Sequence, residues 1–585
     1  MSSIEERLKI NGKLPKSRLV NGSGCRVTSL ETMLKVAKWK DGFGMVTMKS
    51  ASRKARKGNH PPIYCADPDY GVRARRNAVG LANPGTPFLA EELEQLKASD
   101  LNGVILNVSV FGGNYDEFME ATEDIAPYAD CVEDNFSCPH AEGAGSSVGW
   151  TLEEKVKIVK DQVEMGLDVF VKETPNQSDE ELAKAARAYV EAGAKGIVVI
   201  NTVTPAETFL PGTSTPVLFN GKGGGSGHHV KERGLQCVEV VRKAVGPKPI
   251  IIGMGGVFTG RDAREYLEAG ADFVGIGTSM EFMSSELLRQ YLMRMNLDIE
   301  QGGDSAEMLL PACSRLQYDG WQIDSVSELS DSLRVFTFDG NIDSEAAQYV
   351  FLAVPGNDFH PTMEAPFSVP VKSPFTLAVR KYHDKGRKHH FTSRLWELGA
   401  GDEVFVRGPY GVPFTKHRYD HVMLVGGGTG TAALASIAQS YPDHTAFIGV
   451  RNSDEVLFRE CFNDDHIAMG YIDSEGQIVG KLAHERFAEF PFRQKDKEGY
   501  LVTCGPNPMM KSVIDVAVMK GLDPGRIFAV MEPYMKCGVG ICGSCSDHKG
   551  NIACTDGHIV DANHFLEAWD LGKVKRGPDG AWEYD

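Results

Sequence analysis

Nothing in this chain of 585 residues approaches the roughly 18 consecutive apolar residues of a membrane-spanning helix, so no span is expected. Positive charge is in deficit. Lys and Arg number 62 against 79 Asp and Glu, a formal charge of −17. A nucleic acid or an anionic membrane would need a basic face, so neither is expected as a partner. Anionic small molecules are not excluded, because a local pocket can be positive in a negative protein. The opening segment MSSIEERLKI is charged and has no apolar h-region, so no secretory leader is expected and the chain reads as cytoplasmic. The 12 cysteines lack the even spread of a secreted disulfide framework; a group of them falls between 537 and 554 and the rest are scattered. That distribution reads as a reducing compartment with one local metal site. What remains is an ordinary globular balance, 42% apolar and 24% charged. At about 100–200 residues per domain, the length implies about three to five domains.

Up to about residue 300, apolar strands alternate with amphipathic helices. The strand candidates are RLVNG (18–22), GMVTMK (44–49), GVILNVSV (103–110), CVEDNFS (131–137), LDVFVKE (167–173), GIVVINT (196–202), PIIIGMGG (249–256) and FVGIGT (273–278). Between them lie helical patterns such as 152–166, 181–193 and 261–270. Eight β-then-α units of this size fit a TIM barrel better than the alternative, an open doubly wound sheet. Chemistry in such a barrel gathers at the C-terminal ends of the strands. Those ends carry Asn21, Gly22 and Ser23, then Lys49, Asn135, Cys138, Lys172, Asn201 and Thr202. One buried polar residue would be structural; a set on one rim calls for a ligand.

Two late glycine stretches suggest which ligand. GMGGV (253–257) closes the seventh strand and GIGTS (275–279) the eighth, where barrels commonly cradle a phosphate. Gly255, Gly256, Gly277 and Thr278 are therefore read as a flavin mononucleotide (FMN) phosphate site. GGGSG (223–227), ending in Gly227, reads as a flexible segment after the sixth strand.

From about 312 to 415 the pattern changes to short alternating strands with turns, which predicts a small antiparallel β-barrel. HVMLVGGGTGTAALASIAQ (421–439) then gives strand, glycine turn and helix. Gly426, Gly427, Gly428 and Gly430 in that turn can accept a pyrophosphate at the helix N-terminus. LVTCGPNPMMKSV (501–513) repeats the strand–turn–helix unit, and together they predict a nicotinamide-nucleotide domain. Near the end, Cys537, Cys542, Cys545 and Cys554 are spaced C-x4-C-x2-C-x8-C. This is the spacing of a [2Fe–2S] site, whereas structural zinc usually pairs its ligands as two CxxC knuckles. The final residues, LGKVKRGPDGAWEYD, read as an exposed tail.

These motifs resemble a known family. NAVGLANPG (77–85), NFSCPH (135–140), VKETPN (171–176), INT (200–202) and PVLFNGKGGGSG (216–227) are similar to the catalytic flavoprotein of class 1, NAD-linked (B-type) dihydroorotate dehydrogenase. The region from about 312 onward resembles that enzyme's electron-transfer subunit, as if the two were fused. The resemblance implies four parts: an FMN-binding TIM barrel at 1–311, an FAD-binding β-barrel at 312–417, an NAD-binding α/β domain at 418–530 and a [2Fe–2S] domain at 531–585. It also implies a small-molecule substrate, exchange with NAD(H) and a homo-oligomer.

The family further implies that Lys49, Asn77, Gly80, Leu81, Asn135, Asn201 and Thr202 hold the pyrimidine and its carboxylate. Lys172 would lie near the flavin ring, and Cys138 would take the C5 proton of dihydroorotate as general base. The chain departs from the family in places. His140 stands where Asn is usual, Val79 where a longer apolar residue is common, and His228-His229 where Pro-Ala is usual. Ala365 replaces the Arg of the FAD motif, leaving Ser368, Thr392 and Ser393 as candidate FAD contacts. His140 can be a satisfied rim residue, a contact to an anionic substrate group, or a tuner of the Cys138 thiolate. Two alternatives follow: the same electron route with a different unsaturated or cyclic-imide substrate, or an electron-transfer flavoprotein whose barrel only docks.

Overall fold

The computed structural model describes residues 3–96, 101–136, 150–358, 360–381, 391–416, 420–463, 465–472 and 477–583. Its first half is a closed barrel of eight parallel strands: β1 (Leu19–Asn21), β2 (Met45–Ala51), β3 (Ile105–Val110), β4 (Cys131–Asn135), β5 (Val169–Glu173), β6 (Gly196–Val199), β7 (Ile250–Met254) and β8 (Phe273–Ile276). Each neighbours the next in sequence, and β1 pairs with both β2 and β8 to close the ring. Every strand expected from the apolar rhythm is there. The reason is physical: barrel strands are buried on both faces and so read as continuous apolar runs. One set of side chains, including Val20, Met45, Ile105, Phe170, Val198 and Ile252, forms one buried core cluster. A larger cluster joins the strands to the helices, through Val108, Val132, Val159, Leu182 and Val238 among others. The helices start where the sequence caps them. Thr151 with Glu154, Ser178 with Glu181 and Thr259 with Asp262 each form a reciprocal capping box.

One expectation is corrected here. GGGSG is not a flexible segment: Lys222–Gly227 is a strand. It joins Tyr64–Ala66, Ala74–Asn77 and Val203–Glu207 in a four-stranded antiparallel sheet. Its glycines are there because neighbours press on them. A Cβ at Gly224 would lie 2.3 Å from Thr202 Oγ1, and one at Gly227, at φ +102°, 1.9 Å from the Arg73 carbonyl oxygen.

The predicted antiparallel barrel is a seven-stranded antiparallel sheet. Its spatial order is Met363–Ser368, Tyr349–Val354, Glu403–Tyr410, Asp319–Ser330, Leu333–Phe338, Phe375–Arg380 and Val371–Lys372. The two edge strands follow each other in the chain, and the sheet wraps one core of Ile323, Phe336, Val350, Leu377 and Val404. The next sheet runs Ile478–Gly480, Asp465–Ile472, His444–Val450, Val422–Gly427, Tyr500–Cys504, Ile527–Val530 and Ile559–Asp561.

The C-terminal residues also correct the expectation of an exposed tail. Lys575–Arg576 and Trp582–Glu583 pair as a small hairpin. Arg576 is buried, stacks on Trp582 and pairs with Glu31 of the barrel. Among the described residues no helix is long and apolar enough to cross a membrane.

Candidate active site

The C-terminal ends of the barrel strands open into a cavity of about 240 Å³. Gly22 and Ser23 follow β1, Lys49 lies in β2, Asn135 ends β4, Lys172 lies in β5, and Asn201 and Thr202 follow β6; all of them line the cavity. Asn77, Val79, Gly80 and Leu81 reach it from the strand Ala74–Asn77 and the loop after it. Cys138 and His140 lie outside the described residues.

The polar side chains are held by specific partners. Asn135 donates from Nδ2 to Ser50 Oγ at 3.1 Å. Lys172 is buried, donates to Ser23 Oγ at 3.1 Å and lies 3.5 Å from Glu133. The Asn201 side chain accepts from the Thr202 backbone at 2.8 Å, and Asn77 donates to the Gly224 carbonyl at 3.3 Å. Lys49 runs across Gly24, where a Cβ would sit 2.4 Å from its Cδ; Gly24, at φ +73°, therefore makes room for the lysine. Two cations lining one cavity suit an anionic ligand, although the whole chain is acidic.

Gly227, Gly255, Gly256, Gly277 and Thr278 converge on one side of this cavity. A Cβ on Gly256 would lie 3.0 Å from the Gly227 carbonyl oxygen, so two glycine backbones meet there. Thr278 Oγ1 is 3.4 Å from Ser226 Oγ. A concave rim of glycine backbone and hydroxyls is the donor set for a phosphate, and it fits FMN.

The cysteine segment closes the same cavity, since Cys537, Ile541 and Cys542 line it with the barrel residues. Three contacts seat this loop: Phe282 N–H donates to the Val539 carbonyl at 2.9 Å, Arg26 N–H to the Ile541 carbonyl at 3.2 Å, and Arg407 Nη1 to the Cys537 carbonyl at 3.0 Å. Cys537, Cys545 and Cys554 are buried and Cys542 is half-buried. The thiols of Cys542 and Cys554 hold Cys537 well below the ordinary thiol range. The four thiols converge, Cys537 bonding Cys542 and Cys554, and Cys554 bonding Cys545, an arrangement that fits an iron–sulfur cluster.

In the second half, Gly426 to Gly430 turn from the strand Val422–Gly427 into the helix Thr431–Ser440. A Cβ on Gly430 would lie 2.6 Å from the Cys504 carbonyl oxygen, so this turn packs on the start of the CGPNP turn. The two turns leave neighbouring parallel strands, Val422–Gly427 and Tyr500–Cys504, at the point where the strand order reverses. Ligands of open α/β sheets bind at that switch point. Ser368 ends an edge strand, and Thr392 and Ser393 lie on the short helix Phe391–Leu395, whose Phe391 meets Phe367 at 5.6 Å. These three residues thus occupy adjoining elements.

Sequence reasoning missed several lining groups. Cys25 lies in the cavity, and burial pushes its thiol up against the pull of Lys49 and Lys172. Tyr64 lines it and donates to Glu281, which Arg75 also binds at 2.8 Å with both charges buried. No motif marked these residues. Their partners are about 200 positions away and meet only in the fold.

The described family Dihydroorotate dehydrogenase matches residues 8–295, and the iron-sulfur cluster binding domain of dihydroorotate dehydrogenase B matches residues 532–565. The catalytic subunit of dihydroorotate dehydrogenase B (NAD(+)) from Methanocaldococcus jannaschii is 34% identical over 275 residues, 45% of this chain and 86% of that protein. A protein of the same organism described as the electron transfer subunit is 31% identical over 265 residues, 44% of this chain and 95% of that protein. The Thermoplasma acidophilum catalytic subunit is 37% identical over 270 residues, 45% of this chain and 84% of that protein. With a barrel whose cavity is shared by a four-cysteine loop, the chain belongs to the dihydroorotate dehydrogenase B family, carrying the catalytic domain and the iron–sulfur cluster binding domain in one polypeptide.

Proposed function

We propose that this chain interconverts dihydroorotate and orotate at the barrel cavity and exchanges the electrons with NAD(H), with FMN, FAD and a [2Fe–2S] cluster as resident groups. The observation that carries this reading is the shared cavity: Cys537 and Cys542 line the same space as Lys49, Asn77, Asn135, Lys172 and Asn201. When bound, these groups supply the redox chemistry, since nicotinamide exchanges hydride, the cluster single electrons, and flavins either.

The chain's own residues do the rest. Lys49 and the amides of Asn77, Asn135 and Asn201 bind the pyrimidine and its carboxylate, with Thr202, Gly80 and Leu81 completing the walls. Ser50 and Thr202 hold Asn135 and Asn201 in orientation through the bonds given above. Lys172, buried beside Glu133, offsets negative charge at the flavin side of the cavity. Gly227, Gly255, Gly256, Gly277 and Thr278 hold the FMN phosphate. Cys138, in the segment that follows β4 and Asn135, moves the proton at C5 of the substrate. Cys25 lines the cavity, and burial raises its pKa against the pull of Lys49 and Lys172, which disfavours it as a base. Ser368, Thr392 and Ser393 contact FAD, and the glycine turn Gly426–Gly430 receives the nicotinamide nucleotide at the sheet's switch point.

Orotate-dependent NADH oxidation by the purified holoenzyme tests the reading. Cys138→Ala is expected to lower it by about 10²–10⁴-fold with flavin and iron content unchanged, while Cys25→Ala leaves it within a few-fold. No orotate or dihydroorotate turnover in a fully loaded preparation would sink the proposal.

A further inference from the structure

The segment between the third and fourth cysteines of the cluster motif carries an imidazole with a buried side chain. His548 lies in the turn after Cys545, and its side chain is 1% exposed. Neither of its ring nitrogens has a hydrogen-bond partner among the described residues, and the nearest carboxylate, Glu567, is 3.7 Å from Nε2. A second imidazole, His564 on the helix Ala562–Asp570, stands with its ring centroid 4.6 Å from that of His548. His564 Nε2 is 2.8 Å from Asp547 Oδ2, an ion pair when the ring is protonated, so the two atoms face a common space. One ligand atom from each of Asp547, His548 and His564 lies within 4.8 Å of the other two. All three residues line one small cavity of about 30 Å³ behind Cys545.

We propose that Asp547, His548 and His564 form a second metal site, separate from the four cysteines, that takes a divalent transition ion of the zinc class. Two imidazole nitrogens and one carboxylate oxygen are a zinc donor set, and water or Glu567 completes it. Ligand bonds of about 2.1 Å place tetrahedral ligands about 3.4 Å apart, inside the 4.8 Å within which the three ligand atoms lie. The carboxylate is already aimed: Asp547 accepts from the backbone of Lys549 and Asn551 through Oδ1, and from the Asn551 amide through Oδ2. Such outer contacts fix ligand direction in metal sites. The nearby cations are engaged elsewhere, Arg576 and Lys573 with Glu31 and Lys549 with Glu567. An ion here would tie the loop that presents Cys545 and Cys554 to the last helix of the nucleotide-binding half. It would thereby hold the cluster ligands in place without taking part in electron transfer.

The test uses the full chain loaded with its flavins and iron–sulfur cluster. The protein is incubated with zinc chloride, desalted, and measured for metal content and zinc K-edge X-ray absorption. About one zinc per chain is expected, with a nitrogen and oxygen shell at about 2.0–2.2 Å, imidazole scattering and no sulfur shell. Iron content stays unchanged. His548→Gln and His564→Gln should each lose the zinc and keep the iron. Failure of the iron-replete protein to retain zinc, a sulfur shell, or retention by both variants overturns the site. Where a variant folds poorly, the wild-type absorption spectrum decides by itself: imidazole scattering supports the site and its absence overturns it.

Discussion

Asp134 and Asn135 are adjacent on β4 but point to opposite faces, as strand alternation requires. Asn135 enters the cavity, while Asp134 faces the helix Leu152–Glu164 and accepts from Gln162 Nε2 at 2.9 Å. Burial pushes the Asp134 carboxyl up to about 8. In the unfolded chain the same group loses its proton near pH 4. Between about pH 4 and pH 8 the folded state therefore keeps a proton that the unfolded state has released, and stability falls as pH rises across that window. Asp134→Asn removes the titration. The variant should lose this decline, gaining on the order of a few kcal/mol at pH 8 relative to pH 5. Thermal melts of the holoenzyme at the two pH values check this; parallel shifts in wild type and variant would contradict it.

The element that joins the barrel to the second half of the chain is the glycine-rich cysteine loop. Gly543, between Cys542 and Cys545, has φ +68°, and a Cβ there would lie 1.8 Å from Thr28 Oγ1. Gly550, at φ +75°, would put a Cβ 2.3 Å from the Glu31 carbonyl oxygen. The loop can lie this close to the barrel only because these positions carry no side chain. Gly543→Ala adds a strained backbone, about 1 kcal/mol or more, to a clash with Thr28. It should lift the loop from the barrel and slow electron exchange between the two halves far more than it slows NADH oxidation by a soluble dye. Stopped-flow reduction of the barrel flavin measures the difference; equal effects on both rates would argue against a docking role.

Across the whole molecule, a buried ion pair links the antiparallel sheet to the cysteine loop. Arg407 and Glu364 have fully buried side chains 2.7 Å apart, and Tyr318 donates to the same carboxylate at 2.6 Å. Arg407 also stacks on Phe351 and donates to the Cys537 carbonyl. Removing one partner strands a buried charge. Arg407→Met should cost about 3–5 kcal/mol and release the cluster, whereas Arg407→Met with Glu364→Gln should recover much of the loss. Denaturant midpoints and iron content separate these outcomes; equal stability of the single and double variants would refute the coupling.

The amino-acid sequence by itself determined what depends on local periodicity and spacing. The eight barrel strands were legible because burial on both faces favours apolar runs such as GIVV and IIIGM. The strand, glycine turn and helix at 421–439 and the iron–sulfur domain were legible because tight turns and cysteine spacing are local requirements. Only tertiary structure decided the rest. Lys222–Gly227 is a strand because Asn77 and Val203 pair with it, while its own side chains carry almost no pattern. The last residues form a docked hairpin because its buried Arg576 finds Glu31, more than 500 positions away. The cysteine loop faces the barrel cavity because Arg26, Phe282 and Arg407, from three distant segments, hold its backbone. Such contacts leave no trace in local sequence, since their energy comes from partners that only the fold brings together.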